Sequence, residues 1–142
     1  MSEKRVVGRK EKIDIIDLEL YDLDAKVDTG ADSNALHCDN IDLSEDGYVS
    51  FCLLDEVHEA YHGKRMRFKL HKLKRVRSSN GELQERPAIE VKVKFFNTEY
   101  TTVVSLTNRA DMKYPMLIGR KFLSERFLVD VSQEYITYQA EK

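Results

Sequence analysis

Apolar positions in this chain recur mostly at every second residue, the period of a half-buried strand. Leu20, Leu23, Ala25 and Val27 are interleaved with Tyr21, Asp22, Asp24 and Lys26, which predicts a strand or hairpin running into Asp28. Val91, Val93 and Phe95 alternate with Glu90, Lys92 and Lys94, and Tyr100 to Leu106 is rich in β-branched and aromatic residues. Asn97-Thr98 between them predicts a tight hairpin. Asn80-Gly81 is a stronger turn signal, because two-residue hairpins need positive φ. It separates a strand over Met66 to Val76 from one over Pro87 to Phe96. Leu128 to Val131 and Tyr135 to Tyr138 are expected to close the chain as strands about a turn at Ser132 to Glu134. Only Arg120 to Phe127 has a clear helical period, with Phe122, Leu123 and Phe127 on one face. The pattern predicts an all-β closed or sandwich-like barrel with one short helix near the C-terminus.

Composition narrows the picture. With 142 residues and 42% hydrophobic content, the chain can bury one sizeable core, so residues 1–142 are read as a single domain. A formal net charge of -2 calls for neither nucleic acid nor membrane. Met1-Ser-Glu-Lys-Arg5 is charged and leads into no apolar run of signal or membrane-spanning length, so a cytoplasmic location is the expectation. Cys38 and Cys52 are too few for a disulfide framework and are expected to be reduced thiols. Lys64 to Arg77 carries nine Lys, Arg or His residues, and alternation with Met66, Phe68 and Leu70 puts Arg65, Arg67, Lys69 and His71 on one strand face. That face either solubilises and protects a sheet edge or meets an acidic protein or peptide substrate. Nucleic acid is not the expected partner, because no exposed aromatics are interleaved for base stacking.

The candidate chemistry begins at Asp28-Thr29-Gly30. An acid at the end of a strand, on a backbone tight enough for a second acid to approach, is what an aspartic protease needs. Asp28 would be the reactive carboxyl, Thr29 could hydrogen-bond across the site, and Gly30 has no Cβ to block the approach. Ala31 keeps the next position small. Three such residues recur by chance, but a second string, Met116-Leu-Ile-Gly-Arg120, follows about ninety positions later and precedes the helical segment. In retroviral-type proteases two apolar residues and a Gly run past the catalytic loop in this way.

Ala25 to Ala31, Ala35-Leu-His37, Ser105 to Arg109, Met116 to Arg120 and Arg126 to Asp130 together resemble the retropepsin-like aspartic proteases of bacteria and archaea, historically labelled ATP-dependent zinc proteases. The similarity runs over nearly the whole chain. It implies a closed acid-protease barrel, an aspartic peptidase acting on peptide or isopeptide bonds, and a site completed in a homodimer, since each chain supplies one Asp-Thr-Gly. Relatives are often associated with ligases that add glutamate to proteins, which extends the expected substrate to glutamate-modified or acidic tails. The resemblance also implies a flap hairpin at about residues 50–70 and an ion pair between Asp32 and Arg120. Catalytic Asp28, Thr29 and Gly30 are thus joined by Ala31, Asp32, Arg65 and Arg67 as candidate substrate-binding residues, with Gly119 and Arg120 as support. No cofactor is expected, and no Gly-x-x-x-x-Gly-Lys string offers an ATP site.

Two rival readings remain. The same loops could belong to a retropepsin-like module that holds peptides without cutting them. His58-Glu-Ala-Tyr-His62 formally matches the zinc-protease string His-Glu-x-x-His, which works only on a helix. Gly63 follows at once, and Met66, Phe68 and Leu70 then alternate as a strand, so a hairpin tip is the better expectation.

Overall fold

The computed structural model describes residues 4–53, 64–77, 81–108 and 113–137. In chain order the elements are β1 (Arg5–Val7), β2 (Lys10–Ile15), a 3₁₀ turn (Ile16–Leu18), β3 (Leu20–Val27), β4 (Asn34–Leu43), β5 (Tyr48–Leu53), β6 (Arg65–Lys69), β7 (Lys72–Arg77), β8 (Leu83–Phe95), β9 (Thr98–Thr107), β10 (Met116–Ile118), α1 (Arg120–Leu123) and β11 (Phe127–Val129). Six strands follow one another in the order β10-β3-β2-β8-β9-β4, and β4 returns to β10, which closes a barrel. This is the all-β retropepsin-like barrel the sequence predicts.

Alternation explains the strands. β2 and β5 each bury every second residue, and β8 does so from Val91 onward. The inward set, including Ile13, Leu23, Phe51, Val91, Val93 and Leu106, forms one core. The β8–β9 hairpin turns at Phe96 and Asn97, one residue earlier than the expected Asn97-Thr98; their φ values of 56° and 60° are those of a two-residue turn, and Thr98 already opens β9. Phe95 from this hairpin meets Phe122 at 5.7 Å and Phe127 at 5.3 Å between ring centroids, and Tyr100 meets Phe122 at 5.3 Å. This aromatic cluster fastens α1 to the barrel.

Three expectations are corrected. The helix occupies only Arg120–Leu123 of the expected Arg120 to Phe127; Glu125 takes a left-handed φ of 68°, and Phe127 begins β11, paired in parallel with β1. The stretch from Met66 to Val76 is two strands. β6 pairs with β5, the chain changes partner at Leu70 and His71, and β7 pairs with β8. Ile136 and Thr137 form a helical turn instead of a closing strand, and Tyr138 lies outside the described residues. Here the backbone is diverted by the buried carboxylate of Glu11, which accepts the Ile136 N–H at 3.2 Å, the Thr137 N–H at 3.1 Å and the Thr137 hydroxyl at 2.9 Å. No helix among the described residues is long and apolar enough to cross a membrane.

Candidate active site

The Asp28 loop owes its position to β10. That strand lies between β3 and β4, parallel to the first (Met116 opposite Ala25) and antiparallel to the second (Met116 opposite Leu36). The chain leaving β3 at Val27 must therefore pass over the end of β10 before it enters β4 at Asn34. Residues 28–33 make that crossing, and Gly119 sits under it.

Each crossing residue is pinned. The Asp28 N–H donates to the Ile118 carbonyl at 2.9 Å, continuing the β3–β10 ladder by one step. Half-buried Asp28 accepts the Gly30 N–H on its Oδ1 at 3.0 Å, and the Ala31 N–H closes the turn on the Asp28 carbonyl at 3.1 Å. A side chain at position 30 would crowd that Oδ1 at 3.2 Å. From below, the Arg120 and Lys121 N–H groups donate to the carbonyls of Ala31 and Asp32 at 2.9 and 3.0 Å. The Arg120 guanidinium adds a bond to the Thr29 carbonyl at 3.1 Å. Thr29 and Gly30 remain exposed, and among the described residues no Lys or Arg pairs with Asp28.

Gly119 is required by proximity, not by its φ of -99°: a Cβ there would lie 2.6 Å from the Ser33 backbone. Its N–H donates to the Asn34 side-chain oxygen at 3.0 Å, while the Asn34 amide nitrogen donates to Thr102 Oγ1 and the Val103 carbonyl, both at 3.2 Å. Asn34 is 3% exposed and ties the loop, the second glycine and β9 together.

Asp32 and Arg120 do meet, but not as a bidentate pair. Arg120 Nη2 stands 3.6 Å from Asp32 Oδ1, with Lys121 at 3.4 Å and Lys74 at 3.9 Å from the other oxygen, and all four side chains keep water contact. The lysine nearest it, Lys121, does most to hold the Asp32 carboxyl below its ordinary value, with Lys74 and Arg120 adding to the effect. An exposed, shared cluster of this kind contributes little to stability, because water screens it.

The groove around Asp28, about 340 Å³, is lined by the loop from Gly30 to Ala35 together with Lys74, Arg86, Ser105 and Leu117. Its cations come from the β7–β8 hairpin. Lys74 donates to Ser33 Oγ at 2.5 Å, and burial pushes its pKa down. Ala31 and Asp32 line this groove; Arg65 and Arg67 do not. Those two arginines pair instead with carboxylates of the neighbouring β4–β5 hairpin, Arg65 with Asp42 of β4 at 3.0 Å and Arg67 with Asp46 of the β4–β5 turn at 2.7 Å. The basic face exists in part: Arg65, Arg67 and Lys69 are exposed between half-buried Met66 and Phe68, but His71 lies beyond β6, where the chain has turned to β8. β5 and β6 form a hairpin where a flap was expected, but its tip lies outside the described residues, as do His58, Glu59 and His62. Among the described residues no cluster of His, Cys, Asp or Glu could hold a metal ion.

The sequence alone did not reveal the clamping role of Asn34 or the place of Lys74 beside Asp28. Asn34 carried a faint signal, as a polar residue entering an apolar stretch. Lys74 and Arg86 carried none, because their approach to Asp28 depends on how β7 and β8 pair.

Comparison with known proteins agrees with this geometry. A family model described as RimB-like, "Retropepsin-like aspartic endopeptidase RimB", matches residues 6–140. A Shewanella halifaxensis protein named "Probable alpha-L-glutamate ligase" is 30% identical over 139 residues, covering 93% of this chain and 30% of its own length. A protein of the same name from Parasynechococcus marenigrum is 31% identical over 137 residues, covering 92% of this chain and 28% of its own length. The chain thus spans less than a third of these relatives. A crystal structure of a Legionella pneumophila protein of unknown function superposes with a TM-score of 0.74 at 28% identity, covering 95% of this chain and 99% of that one.

Proposed function

The chain belongs to the RimB-like family of retropepsin-like aspartic endopeptidases, and on that premise we propose that it hydrolyses peptide or isopeptide bonds with two Asp28 carboxylates, one from each chain of a homodimer. The observation that carries this reading is the Asp28 loop. Its carboxyl is held by the Gly30 N–H, its backbone is fastened to β10 and α1, and its Thr29-Gly30 edge lies open for a second copy.

Two carboxylates brought within a few ångströms cannot both ionise, so the pair shares one proton and titrates as a unit. The ionised member takes a proton from water as water attacks the scissile carbonyl carbon. The protonated member gives its hydrogen bond to the carbonyl oxygen and stabilises the charge that develops there; as the tetrahedral intermediate collapses, the C–N bond breaks and the dyad delivers the proton taken from water to the leaving nitrogen. This route forms no covalent intermediate with the enzyme and uses no cofactor.

Glutamate-modified or acidic protein tails are the proposed substrates. Two features support them: the cations Lys74 and Arg86 in the groove, and relatives named for glutamate ligation that contain a segment similar to this chain. Mass-spectrometric profiling of a cell lysate treated with wild type or Asp28→Asn tests the reading. New peptide termini, clustered near acidic tails and present with wild type alone, are expected. Identical profiles would contradict it and favour a module that binds without cutting.

A further inference from the structure

Asp28 ends β3, and its place depends on what holds that end on each side. On one side β10 does so, through the Asp28 N–H to the Ile118 carbonyl. On the other, the last bond is the Val27 N–H to the Arg9 carbonyl at 2.9 Å, and Arg9 lies just ahead of β2, in the corner between β1 and β2. A strand end held only by such a corner frays readily. This corner is itself clasped.

Residues 133–137 fold across it. The Arg9 N–H donates to the Gln133 carbonyl at 2.9 Å and the Tyr135 N–H to the Lys10 carbonyl at 2.8 Å. A Cβ at Gly8 would run into the Gln133 carbonyl, so the two segments lie as close as backbone allows. Between them the buried Glu11 carboxylate takes the Gly8 N–H on one flank and the Ile136 and Thr137 donors on the other. The clasp also reaches past β2 to β3 itself. The Tyr135 hydroxyl donates to Asp24 Oδ1 at 3.0 Å, an oxygen that Lys12 of β2 meets at 2.9 Å. Burial first, and Asp24 next, push that hydroxyl up to about 12, so it remains a donor near neutral pH. Tyr135 takes a left-handed φ of 54°, a conformation that a bulky residue keeps only where its surroundings impose it.

Repulsion between two carboxylates rises as they approach, so a dyad that shares one proton needs both β3 ends held in a fixed place. Resting on the dimeric dyad above, we propose that Glu11 and Tyr135 are positioning residues for Asp28: the clasp they hold fixes the β2 side of the β3 end, and with it the spacing of the two carboxyls. Neither residue lines the groove, whose charged groups are Asp28, Asp32, Lys74 and Arg86. Loosening the clasp therefore changes how the dyad titrates without removing a substrate contact.

The test reads the strand end separately from the dyad. Tyr135→Phe and Thr137→Val each delete one hydroxyl of the clasp and no charge, and Glu11→Gln disturbs it further. Val91→Ala, a core truncation in β8, is the control for lost stability alone. Amide exchange followed by NMR should show Val27 and Asp28 exchanging about tenfold faster, relative to the amides of β5, in the three clasp variants and not in the control. NMR titration of the Asp28 carboxyl in the dimer should give two steps, which the clasp variants bring closer by about one pH unit. Their kcat should fall about tenfold at unchanged KM. Unchanged exchange at Val27 and Asp28, or the same rise in the control, would overturn the hold of the clasp on β3. Faster exchange with titration steps and kcat as in wild type would overturn its positioning role. A single ordinary Asp28 step in wild type, with exchange as predicted, defeats the dyad reading and leaves the hold on Asp28 standing.

Discussion

Asn34 and Gly119 stand 85 residues apart in sequence and meet through one hydrogen bond, the Gly119 N–H to the Asn34 side-chain oxygen at 3.0 Å. That bond closes the Asp28 crossing against the strand it passes over. Asn34→Ala leaves the Gly119 N–H and the Val103 carbonyl without this partner in a buried place, which should cost about 1 to 3 kcal/mol. Gly119→Ala should cost at least as much, because its Cβ would meet backbone atoms that cannot turn aside. Urea unfolding measures both, and hydrolysis should fall along with stability.

Glu11 is fully buried and accepts four bonds, from Gly8 at 2.7 Å and from the three Ile136 and Thr137 donors already described. A carboxylate has about four lone-pair sites, so its capacity is filled. Glu11→Ala should destabilise the protein by on the order of 3 kcal/mol. Glu11→Gln should recover only part of that, since its NH₂ faces N–H and O–H donors. Hydrogen exchange should show the amides of Ile136 and Thr137 losing protection in both variants.

Asp32 titrates below its ordinary value of 3.8, chiefly through Lys121. The stabilisation linked to this group is therefore present above the unfolded pKa and is lost as pH falls through the lower folded value. Because the cluster is exposed and screened by water, Asp32→Asn should change stability little near neutral pH. NMR titration of the Asp32 carboxyl should show its pKa rise toward the ordinary value in Lys121→Met. No rise would mean that Lys121 does not hold it down.

Much of the barrel was legible because β2 and the second half of β8 bury every second residue, as β5 does beside it. The site was legible where local chemistry required it: Asp28-Thr29-Gly30 needs a tight loop, and Gly119 needs a residue without Cβ. What failed depended on partners distant in sequence. Ile136 and Thr137 have strand-forming side chains, but a carboxylate 125 residues before Ile136 takes their donors. The continuous basic run from Lys64 to Arg77 hid a change of sheet partner at Leu70. Consequently Arg65 and Arg67 meet acids of the adjacent β4–β5 hairpin, while Lys74 faces the groove. Alternation gives the face of a strand but not its neighbour.

His58 and His62 allow a direct contrast with metal chemistry. His58→Ala with His62→Ala should leave both fold and hydrolysis largely intact, and chelators should have no specific effect. Stoichiometric zinc in the purified protein, with hydrolysis lost on its removal and restored on its return, would contradict an aspartic mechanism.

The shared dyad is the centre of this account, and mixed dimers test it most directly. Wild-type and Asp28→Asn chains carrying different tags are co-purified as the mixed dimer and assayed beside each homodimer on one acidic peptide. The wild-type homodimer should be active with a bell-shaped pH profile, because either loss of the shared proton or gain of a second inactivates the pair. The mixed dimer should be as inactive as the Asp28→Asn homodimer, since a single carboxyl cannot act as acid and base together. Half or more of wild-type activity in the mixed dimer would contradict the shared site.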